Sequence, residues 1–457
     1  MHRRAIKEAL QQALAIDPEH SRILVVGLGR TGVSVALFLH RLGIRFAAVD
    51  SRRKERTLLH ELLQEIPDTP VFTGGFQEAA FDVATHLVVS PGIALTEKVI
   101  ERARINGARI LSDIDLFACA TDRPVAAITG ANGKSTVTTM LGKMAAAAGV
   151  KTAVGGNLGT PALELLDSAA ELYVLELSSF QLERTTLLQP EVATVLNVTA
   201  DHMDRYQDMA DYARQKQKIF AGHGVMVLNA DDPVVMAMQQ PGRRMLTFGL
   251  QEPADFYLQN IDAREWLCHA GQSLLPVQAL QLTGRHNIAN ALAALALGKA
   301  LALPMAVMCQ ELRNFQGLAH RMQKVAEIDG VTWINDSKAT NIGACVAALQ
   351  GVQNKVILIA GGDCKGADMR ELAPAVQDRA RAVVLMGRDA ALITRAISNA
   401  APVYPAGNLQ EAVQIAAGLA KPGESVLLSP ACASLDQFKN YQDRGEKFIA
   451  AVRRLAA

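Results

Sequence analysis

A glycine-rich segment at residues 129–136 combines the residue types that bind phosphate. It reads TGANGKST, follows the apolar run 125–128 and precedes a stretch of helical character. Glycines in such a turn let backbone N–H groups point at one spot, and the N-terminus of the following helix adds positive potential. Lys134 is placed to reach the β- and γ-phosphates of a nucleotide, and Ser135 to offer its hydroxyl to Mg²⁺. The segment therefore predicts a nucleoside triphosphate site.

The spacing of this segment differs from the usual phosphate-loop pattern, GxxxxGK[ST]. The first glycine of that pattern would fall on Ile128, so the loop is the shorter GxxGKS that begins at Gly130. An ordinary strand–helix turn with a surface lysine is the alternative interpretation. The order of strand, two glycines, Lys-Ser-Thr and helix favours phosphate binding.

Polar residues also follow two later apolar runs. Glu176 ends the run 172–176, and the segment NVTADHMD begins at the end of the run 192–197. Carboxylates at the carboxyl ends of parallel strands face the ligand crevice, and Mg²⁺ prefers carboxylates together with phosphate oxygens. Glu176 is thus a candidate metal ligand. For Asp201 a helix N-cap, and for His202 a surface position, remain open alternatives.

A second glycine pattern, GxGxxG, lies near the N-terminus. It consists of Gly27, Gly29 and Gly32, and Asp50 stands at the end of the next apolar run. Taken alone, this pattern is typical of a dinucleotide site and favours a dehydrogenase. A single fingerprint of this kind has low specificity, and titration with NADH tests it.

The elements that must position these residues alternate between strand and helix. Strands are predicted over 22–26, 46–50, 85–89, 172–176, 192–197, 225–229, 355–360, 382–386 and 425–428, and a helix over 290–302. This alternation predicts parallel βαβ units and an α/β fold. A chain of 457 residues is too long for one core, so about three domains are expected. We expect them at 1–117, 118–317 and 318–457.

Composition excludes several classes of function. The chain has 46 basic and 45 acidic residues, a formal net charge of +1, which provides no general attraction to nucleic acid or anionic membrane. Its six cysteines are scattered without a CxxC pair, so neither a zinc site nor a disulfide framework is indicated. We find neither a secretory signal nor a transmembrane run. We therefore expect a cytoplasmic protein, acting as a monomer, with small-molecule partners.

Eight segments, in chain order, resemble the Mur ligases. They are TGANGKST, GGNLGTP, LELSSFQLE, LNVTADHMDRY, GRHNIANALAA, HRMQ, INDSKATN and SPACASLDQF, and the resemblance extends from about residue 21 to the C-terminus. Folylpolyglutamate synthases would share the phosphate loop. The segments LELSSFQLE, INDSKATN and SPACASLDQF instead favour the D-glutamate-adding members of the family. The resemblance implies a Rossmann-like N-terminal domain for a UDP-sugar, preceded by an extension at 1–20. A central P-loop-type ATPase domain with a mainly parallel sheet and a Rossmann-like C-terminal domain for the amino acid would follow.

The same resemblance implies an activity. It is that of an ATP-dependent amide ligase that adds D-glutamate to UDP-N-acetylmuramoyl-L-alanine in peptidoglycan precursor synthesis, which serves the cell wall, cell shape and cell division. The reaction would pass through an acyl phosphate and a tetrahedral intermediate, releasing ADP and phosphate, with two Mg²⁺ ions.

The resemblance also assigns site residues. For ATP they are Gly130, Asn132, Gly133, Lys134, Ser135, Thr136, Asn287, Asn290, Arg321 and Asp336. For the metal ions they are Ser135, Glu176, His202 and Lys216. For the UDP-sugar they are Arg30, Thr31, Asp50, Ser51, Arg52, Gly92, Asn157, Ser178 and Gln181. For D-glutamate they are Lys338, Thr340, Lys365, Ser434, Leu435 and Tyr441. Catalytic roles fall to Lys134, His202 and Lys216.

Residue type and family resemblance lead to different predictions for Lys216. Within QKQK a lysine is typical of a solvated helix face. In the family, a carbamylated lysine bridges metal and substrate, and its spacing from Tyr212 selects Lys216. An amine kept neutral by its surroundings can take up CO₂, and the resulting carbamate offers anionic oxygen ligands.

Three other functions remain open at this point. One is a related ligase that adds a different amino acid or acts on folate. Another is a nucleotide-dependent switch with slow hydrolysis, although a switch has no need of the NDSK and SPACAS segments. The last is the dehydrogenase suggested by residues 21–50.

Overall fold

Three successive α/β units make up the computed structural model. It describes residues 3–52, 62, 64–167, 169–201, 203, 205–251, 253–282 and 284–455. Each unit has its own sheet, and most strand pairings are parallel. The predicted α/β class with mainly parallel sheets is confirmed, whereas the domain boundaries at 117/118 and 317/318 stay predictions. In the described part of the chain, no helix is both long and apolar enough to cross a membrane.

The N-terminal sheet has the order β3-β2-β1-β4-β5, and its described pairings are parallel. Its strands are β1 (Ile23–Val26), β2 (Phe46–Asp50), β3 (Val71–Thr73), β4 (His86–Val89) and β5 (Arg109–Leu111). Its helices are α1 (Arg3–Leu14), α2 (Arg30–Leu42), α3 (Glu78–Asp82), α4 (Lys98–Ile105) and α5 (Asp113–Ala120). A Cβ atom at Gly32 would lie 1.8 Å from the carbonyl oxygen of Gly27. The glycine motif therefore serves the close packing of α2 on the turn after β1.

Part of the expected extension at 1–20 belongs to the core of this unit. Helix α1 packs against α5, and its Leu10 and Leu14 are buried in the same apolar cluster as β1 and α2. The ring nitrogen Nε2 of His86 lies 3.0 Å from the carbonyl oxygen of Leu14. The end of α1 is thus tied to β4.

The central sheet has the order β14-β13-β12-β11-β10-β9-β6-β8-β7. Its strands are β6 (Val125–Thr129), β7 (Thr152–Gly156), β8 (Leu172–Glu176), β9 (Val192–Val195), β10 (Val225–Asn229), β11 (Met245–Phe248), β12 (Phe256–Ile261), β13 (Arg264–His269) and β14 (Gln272–Pro276). Its helices are α6 (Lys134–Ala147), α7 (Ser179–Leu182), α8 (Met209–Gln217), α9 (Pro233–Met236), α10 (Arg285–Ala300) and α11 (Met305–Asn314). Among the described strands of this sheet, only β12–β13 and β13–β14 pair antiparallel. Because β6 lies between β8 and β9, the segments that follow these strands leave the sheet side by side.

The C-terminal sheet has the order β15-β16-β20-β17-β18-β19. Its strands are β15 (Gln323–Ile328), β16 (Val331–Asn335), β17 (Val356–Gly361), β18 (Ala380–Met386), β19 (Val403–Pro405) and β20 (Ser425–Leu428). Its helices are α12 (Ile342–Gly351), α13 (Ala373–Arg379), α14 (Ala390–Ile397), α15 (Leu409–Leu419) and α16 (Tyr441–Leu455). Strand β20 pairs parallel with both β16 and β17. The segments after these three strands therefore meet at one edge, which faces the central unit.

Candidate active site

The phosphate loop joins β6 to α6, as the sequence predicts. Gly130 and Gly133 have φ angles of +154° and +83°, and a Cβ atom at Gly133 would lie 2.4 Å from Asn290 Oδ1. Lys134 Nζ donates to the carbonyl oxygens of Gly130 and Ala131, both at 2.8 Å. Its ammonium thus closes the loop at the position where the phosphate oxygens of a nucleotide would compete for it.

Glu176 ends β8 and is 2% exposed. Its Oε1 accepts a hydrogen bond of 2.5 Å from Asn157 Nδ2, while Oε2 is buried and has no bond of ordinary geometry among the described residues. Burial raises the pKa of Glu176, but the charge of Lys134 and the contacts with Ser135 and Asn157 outweigh it, so the pKa is lowered. A buried anionic oxygen with no hydrogen bond of ordinary geometry among the described residues is uncommon, and it suits a cation ligand.

Lys216 lies on α8 and is 1% exposed, so it does not belong to a solvated helix face. Its Nζ donates to the Gly130 carbonyl at 2.9 Å and lies 4.4 Å from the ring centroid of Tyr212, one helical turn earlier. Burial, reinforced by the charge of Lys134, lowers the pKa of Lys216 well below its ordinary value of 10.5. Since both lysines donate to the same carbonyl oxygen, two full charges there would repel each other. Burial and this repulsion both favour the neutral form of the Lys216 amine.

The predicted metal ligand His202 lies outside the described residues. Its neighbour Asp201 bridges two units of the fold, because it accepts from Lys365 Nζ at 3.3 Å and from Asn341 Nδ2 at 3.0 Å. Asn341 Nδ2 also lies 3.2 Å from Asn132 Oδ1 in the phosphate loop. Sequence reasoning did not select Asn341; its only signal was its place in the polar segment INDSKATN.

Part of the set assigned to ATP lines one pocket beside the phosphate loop. Asn287 and Asn290 on α10 are each 8% exposed and line it together with Thr136 and Arg321. Arg321 Nη2 donates to Ser135 Oγ at 2.7 Å, which links the C-terminal unit to the loop.

Asp336 and His286 also line this pocket. Asp336 lines it, but its carboxylate accepts from Ser429 Oγ at 2.9 Å and from the Met322 backbone N–H at 3.2 Å, and burial raises its pKa to about 7. The Asp336 carboxylate therefore mainly stabilises the loop that contains it. His286 also lines the pocket and was not selected from the sequence, although it directly precedes Asn287.

The residues assigned to D-glutamate line a second cleft of about 380 Å³. Its walls include Lys338, Thr340, Lys365, Ser434, Leu435 and Tyr441 from the C-terminal unit, and Lys134, Ser135, Asn157, Glu176, Ser178 and Lys216 from the central unit. Lys338 Nζ lies 4.1 Å from the ring centroid of Tyr441. Desolvation, and then the charge of Arg321, lower the pKa of Lys338 to about 7. The cleft thus places the lysine and hydroxyl side chains of the C-terminal unit beside the phosphate loop.

The residues assigned to the UDP-sugar fall into two groups. Asn157 and Ser178 line the cleft just described, and Gln181 closes the first turn of α7 with Ser178. The others lie in the N-terminal unit, at or after the carboxyl ends of β1, β2 and β4: Arg30, Thr31, Asp50, Ser51, Arg52 and Gly92. There, Asp50 accepts from the Leu28 backbone N–H at 2.7 Å and pairs with Arg52 at 2.5 Å.

Arg184 ties these two groups together. It follows α7, its side chain is 0% exposed, and its guanidinium donates to the carbonyl oxygens of Val89, Ser90 and Ile93 at 3.1, 2.7 and 3.2 Å. The loop that contains Gly92 is therefore held against the central unit.

The described residues contain no cluster of three or more His, Cys, Asp or Glu side chains that would hold a metal ion by itself. The arrangement instead fits an ion that shares its coordination with phosphate oxygens, as Mg²⁺ does in nucleotide sites. Glu176 Oε2 would supply a protein ligand to such a site.

Comparison with protein families matches most of the chain. The Mur ligase MurD-like N-terminal domain matches residues 21–112, the Mur ligase middle domain residues 128–298, and the Mur ligase glutamate ligase domain residues 320–432.

Individual proteins agree with these matches. A UDP-N-acetylmuramoylalanine--D-glutamate ligase of Methylococcus capsulatus is 54% identical over 438 residues, covering 95% of each chain. A protein of the same name from Marinobacter nauticus is 51% identical, covering 95% of this chain and 98% of its own. Among solved structures, the UDP-N-acetylmuramate-alanine ligase of Thermotoga maritima superposes with a TM-score of 0.63 at 19% identity, covering 95% of this chain and 100% of that one. The last similarity concerns the fold alone.

Proposed function

The chain belongs to the Mur ligase family, and from this premise we propose that it is an ATP-dependent ligase that adds D-glutamate to UDP-N-acetylmuramoyl-L-alanine in peptidoglycan precursor synthesis. The observation that carries the proposal is the shared cleft, in which Lys134, Glu176 and Lys216 face Lys338 and Ser434. Relatives with the corresponding name are about half identical over nearly the whole chain.

The first step is phosphoryl transfer. The L-alanyl carboxylate of the UDP-sugar attacks the γ-phosphorus of ATP, the bond to the ADP oxygen breaks, and an acyl phosphate forms. Such transfer depends mainly on positioning and on charge stabilisation. We assign the stabilisation to Lys134, which exchanges its two carbonyl acceptors for phosphate oxygens, and to the N-terminus of α6. Asn287, Asn290 and Arg321 hold the rest of the nucleotide.

Bound Mg²⁺ would neutralise phosphate charge during this step. The residues we expect to hold them are Ser135, Glu176, His202 and carbamylated Lys216. Carbamylation joins the neutral Nζ to the carbon of CO₂ and releases one proton, and it converts a lone amine into an anionic oxygen ligand. The burial of Lys216 and its lowered pKa support this assignment.

The second step is attack by the amine of D-glutamate on the acyl carbon. A tetrahedral intermediate forms, phosphate leaves with the bond electrons, and the amine proton passes to solvent or phosphate. D-Glutamate carries two carboxylates, so its pocket requires cations and hydroxyl donors. We assign these to Lys338, Lys365, Thr340 and Ser434, with Leu435 and Tyr441 as the walls beside them.

The N-terminal unit is proposed to bind the uridine diphosphate group through Arg30, Thr31, Asp50, Ser51, Arg52 and Gly92. Its match to a MurD-like N-terminal domain supports this role over the dehydrogenase interpretation of the same glycines. A monomer in the cytoplasm stays our prediction, and the nucleotide substrates suit that compartment.

The test is phosphate release from Mg-ATP and UDP-N-acetylmuramoyl-L-alanine, with D-glutamate, L-glutamate, L-alanine or meso-diaminopimelate offered in turn. We expect release with D-glutamate only, and a product heavier by one glutamyl residue. The Lys134→Met variant is the matched control, because it keeps most of the side-chain volume but removes the ammonium. Phosphate release with another amino acid would assign the enzyme to a different step of precursor synthesis. Equal phosphate release without any amino acid would support a hydrolytic switch instead.

A further inference from the structure

One fully buried arginine connects the two loops that carry the proposed D-glutamate residues. Arg444 lies in the first turns of α16 and is 0% exposed, although the rest of the helix carries several exposed basic residues. A buried guanidinium is costly unless its N–H groups are bonded. The hydrogen bonds of Arg444 therefore identify the groups that stabilise its buried guanidinium.

The first loop lies directly after β16 and contains Ser337 and Lys338. Arg444 Nη2 donates to the Ser337 carbonyl at 2.7 Å, and Nε donates to Ser337 Oγ at 3.0 Å. Ser337 Oγ in turn donates to the Tyr441 carbonyl at 2.9 Å. Arg444 thus holds the backbone at Ser337, directly before Lys338. The ammonium of Lys338 lies over the ring of Tyr441.

The second loop follows β20 and contains Cys432 and Ser434. Arg444 Nη1 donates to the Cys432 carbonyl at 3.2 Å. One planar guanidinium therefore spans both loops, and its fork geometry sets their separation. Burial lowers the pKa of Arg444 to about 10, so the group remains protonated at neutral pH and keeps all its donors.

We propose that Arg444 is a positioning residue for the dicarboxylic amino acid, because it sets the distance between Lys338 and Ser434 across the acceptor end of the cleft. Arg444 does not line the cleft. It acts through the two loops, so its loss weakens D-glutamate binding most, leaves the UDP-sugar site in place, and reaches the nucleotide pocket only through the loop of Asp336 and Lys338. This inference rests on the proposed function.

The experiment compares Arg444→Met and Arg444→Lys with Arg453→Met, an exposed arginine on the same helix. For Arg444→Met we expect the KM for D-glutamate to rise about 10- to 100-fold, the size of effect produced by a misplacement of about 1 Å. The KM for the UDP-sugar should stay within about twofold, and the KM for ATP should rise by a smaller factor than that for D-glutamate, since only the loop of Asp336 and Lys338 borders the nucleotide pocket. The KM of Arg444→Lys for D-glutamate should lie between those of Arg444→Met and the unsubstituted enzyme, because one ammonium reaches fewer carbonyl oxygens than a guanidinium. Arg453→Met should match the unsubstituted enzyme.

A milder variant covers the case in which Arg444→Met fails to fold. Ser337→Ala removes one of the three contacts and should raise the KM for D-glutamate in the same selective way, by a smaller factor. A common rise in all three KM values, or an unchanged KM for D-glutamate in both Arg444→Lys and Ser337→Ala, would overturn the inference. Absence of D-glutamate-dependent phosphate release in the unsubstituted enzyme would instead overturn the proposed function, and this inference with it.

Discussion

The affinity for D-glutamate should depend steeply on pH because of Lys338. Desolvation in the cleft lowers its pKa to about 7, with the charge of Arg321 acting in the same direction and that of Glu176 opposing it. Only the protonated amine pairs with a substrate carboxylate. The apparent KM for D-glutamate is then the intrinsic value divided by the protonated fraction of Lys338.

The size of the effect follows from that pKa. A base of pKa about 7 is about 90% protonated at pH 6 and about 9% protonated at pH 8. The KM should therefore rise about tenfold over these two pH units. The sign is set by burial: the unliganded cleft favours the neutral amine, so the complex is strongest at low pH and weakens as the pH rises through the pKa.

The assay is the steady-state KM for D-glutamate at pH 6, 7 and 8, with ATP and the UDP-sugar saturating. Lys338→Arg is the informative variant, because a guanidinium stays charged throughout this range and its profile should be flat. Lys324→Arg changes an exposed lysine of the same unit and should keep the tenfold rise. A flat profile in the unsubstituted enzyme, or an equal rise in Lys338→Arg, would refute the reasoning.

Three further outcomes are expected. Lys216→Met should lower kcat by about 100-fold through the loss of a metal ligand, and it should remove the carbamate signal seen by NMR with ¹³C-bicarbonate; normal activity would contradict the assigned role. Arg184→Met should raise the KM for the UDP-sugar about tenfold and leave that for ATP unchanged, because a bond from a charged donor contributes about 1.5–3 kcal/mol; a proportional rise in both would indicate general disruption. Cys364 Sγ lies 3.4 Å from Cys432 Sγ, so a disulfide-forming oxidant such as diamide should join them and lower D-glutamate turnover until a thiol reductant is added, whereas Cys364→Ala should be insensitive.

Local sequence pattern predicted the elements well where it was strong. The strands at 46–50, 172–176, 225–229 and 425–428 have the predicted bounds. The predicted helix 290–302 instead spans Arg285–Ala300, because Gly284, with φ of +95°, directly precedes its first turn. The antiparallel strands at the edge of the central sheet were not predicted, since their half-exposed residues lack a continuous apolar run.

The sequence by itself determined the chemistry of the phosphate loop. Glycine spacing, the Lys-Ser pair and the flanking strand and helix are local features, so they are readable without a fold. The motif set also identified the family, and Glu176 stood out because it ends an apolar run. For Lys216, however, residue type alone favoured a surface position.

Tertiary structure decided which of these residues meet. Lys216 is buried because α8 packs beneath the phosphate loop and brings its amine to the Gly130 carbonyl, 86 residues away in sequence. Arg444 reaches Ser337 over a separation of 107 residues. Contacts of this kind depend on strand order, since parallel strands place distant loops at one edge of a sheet. The spacing of residues along the chain carries no record of that order, so the cleft, its charges and their pKa values follow only from the folded chain.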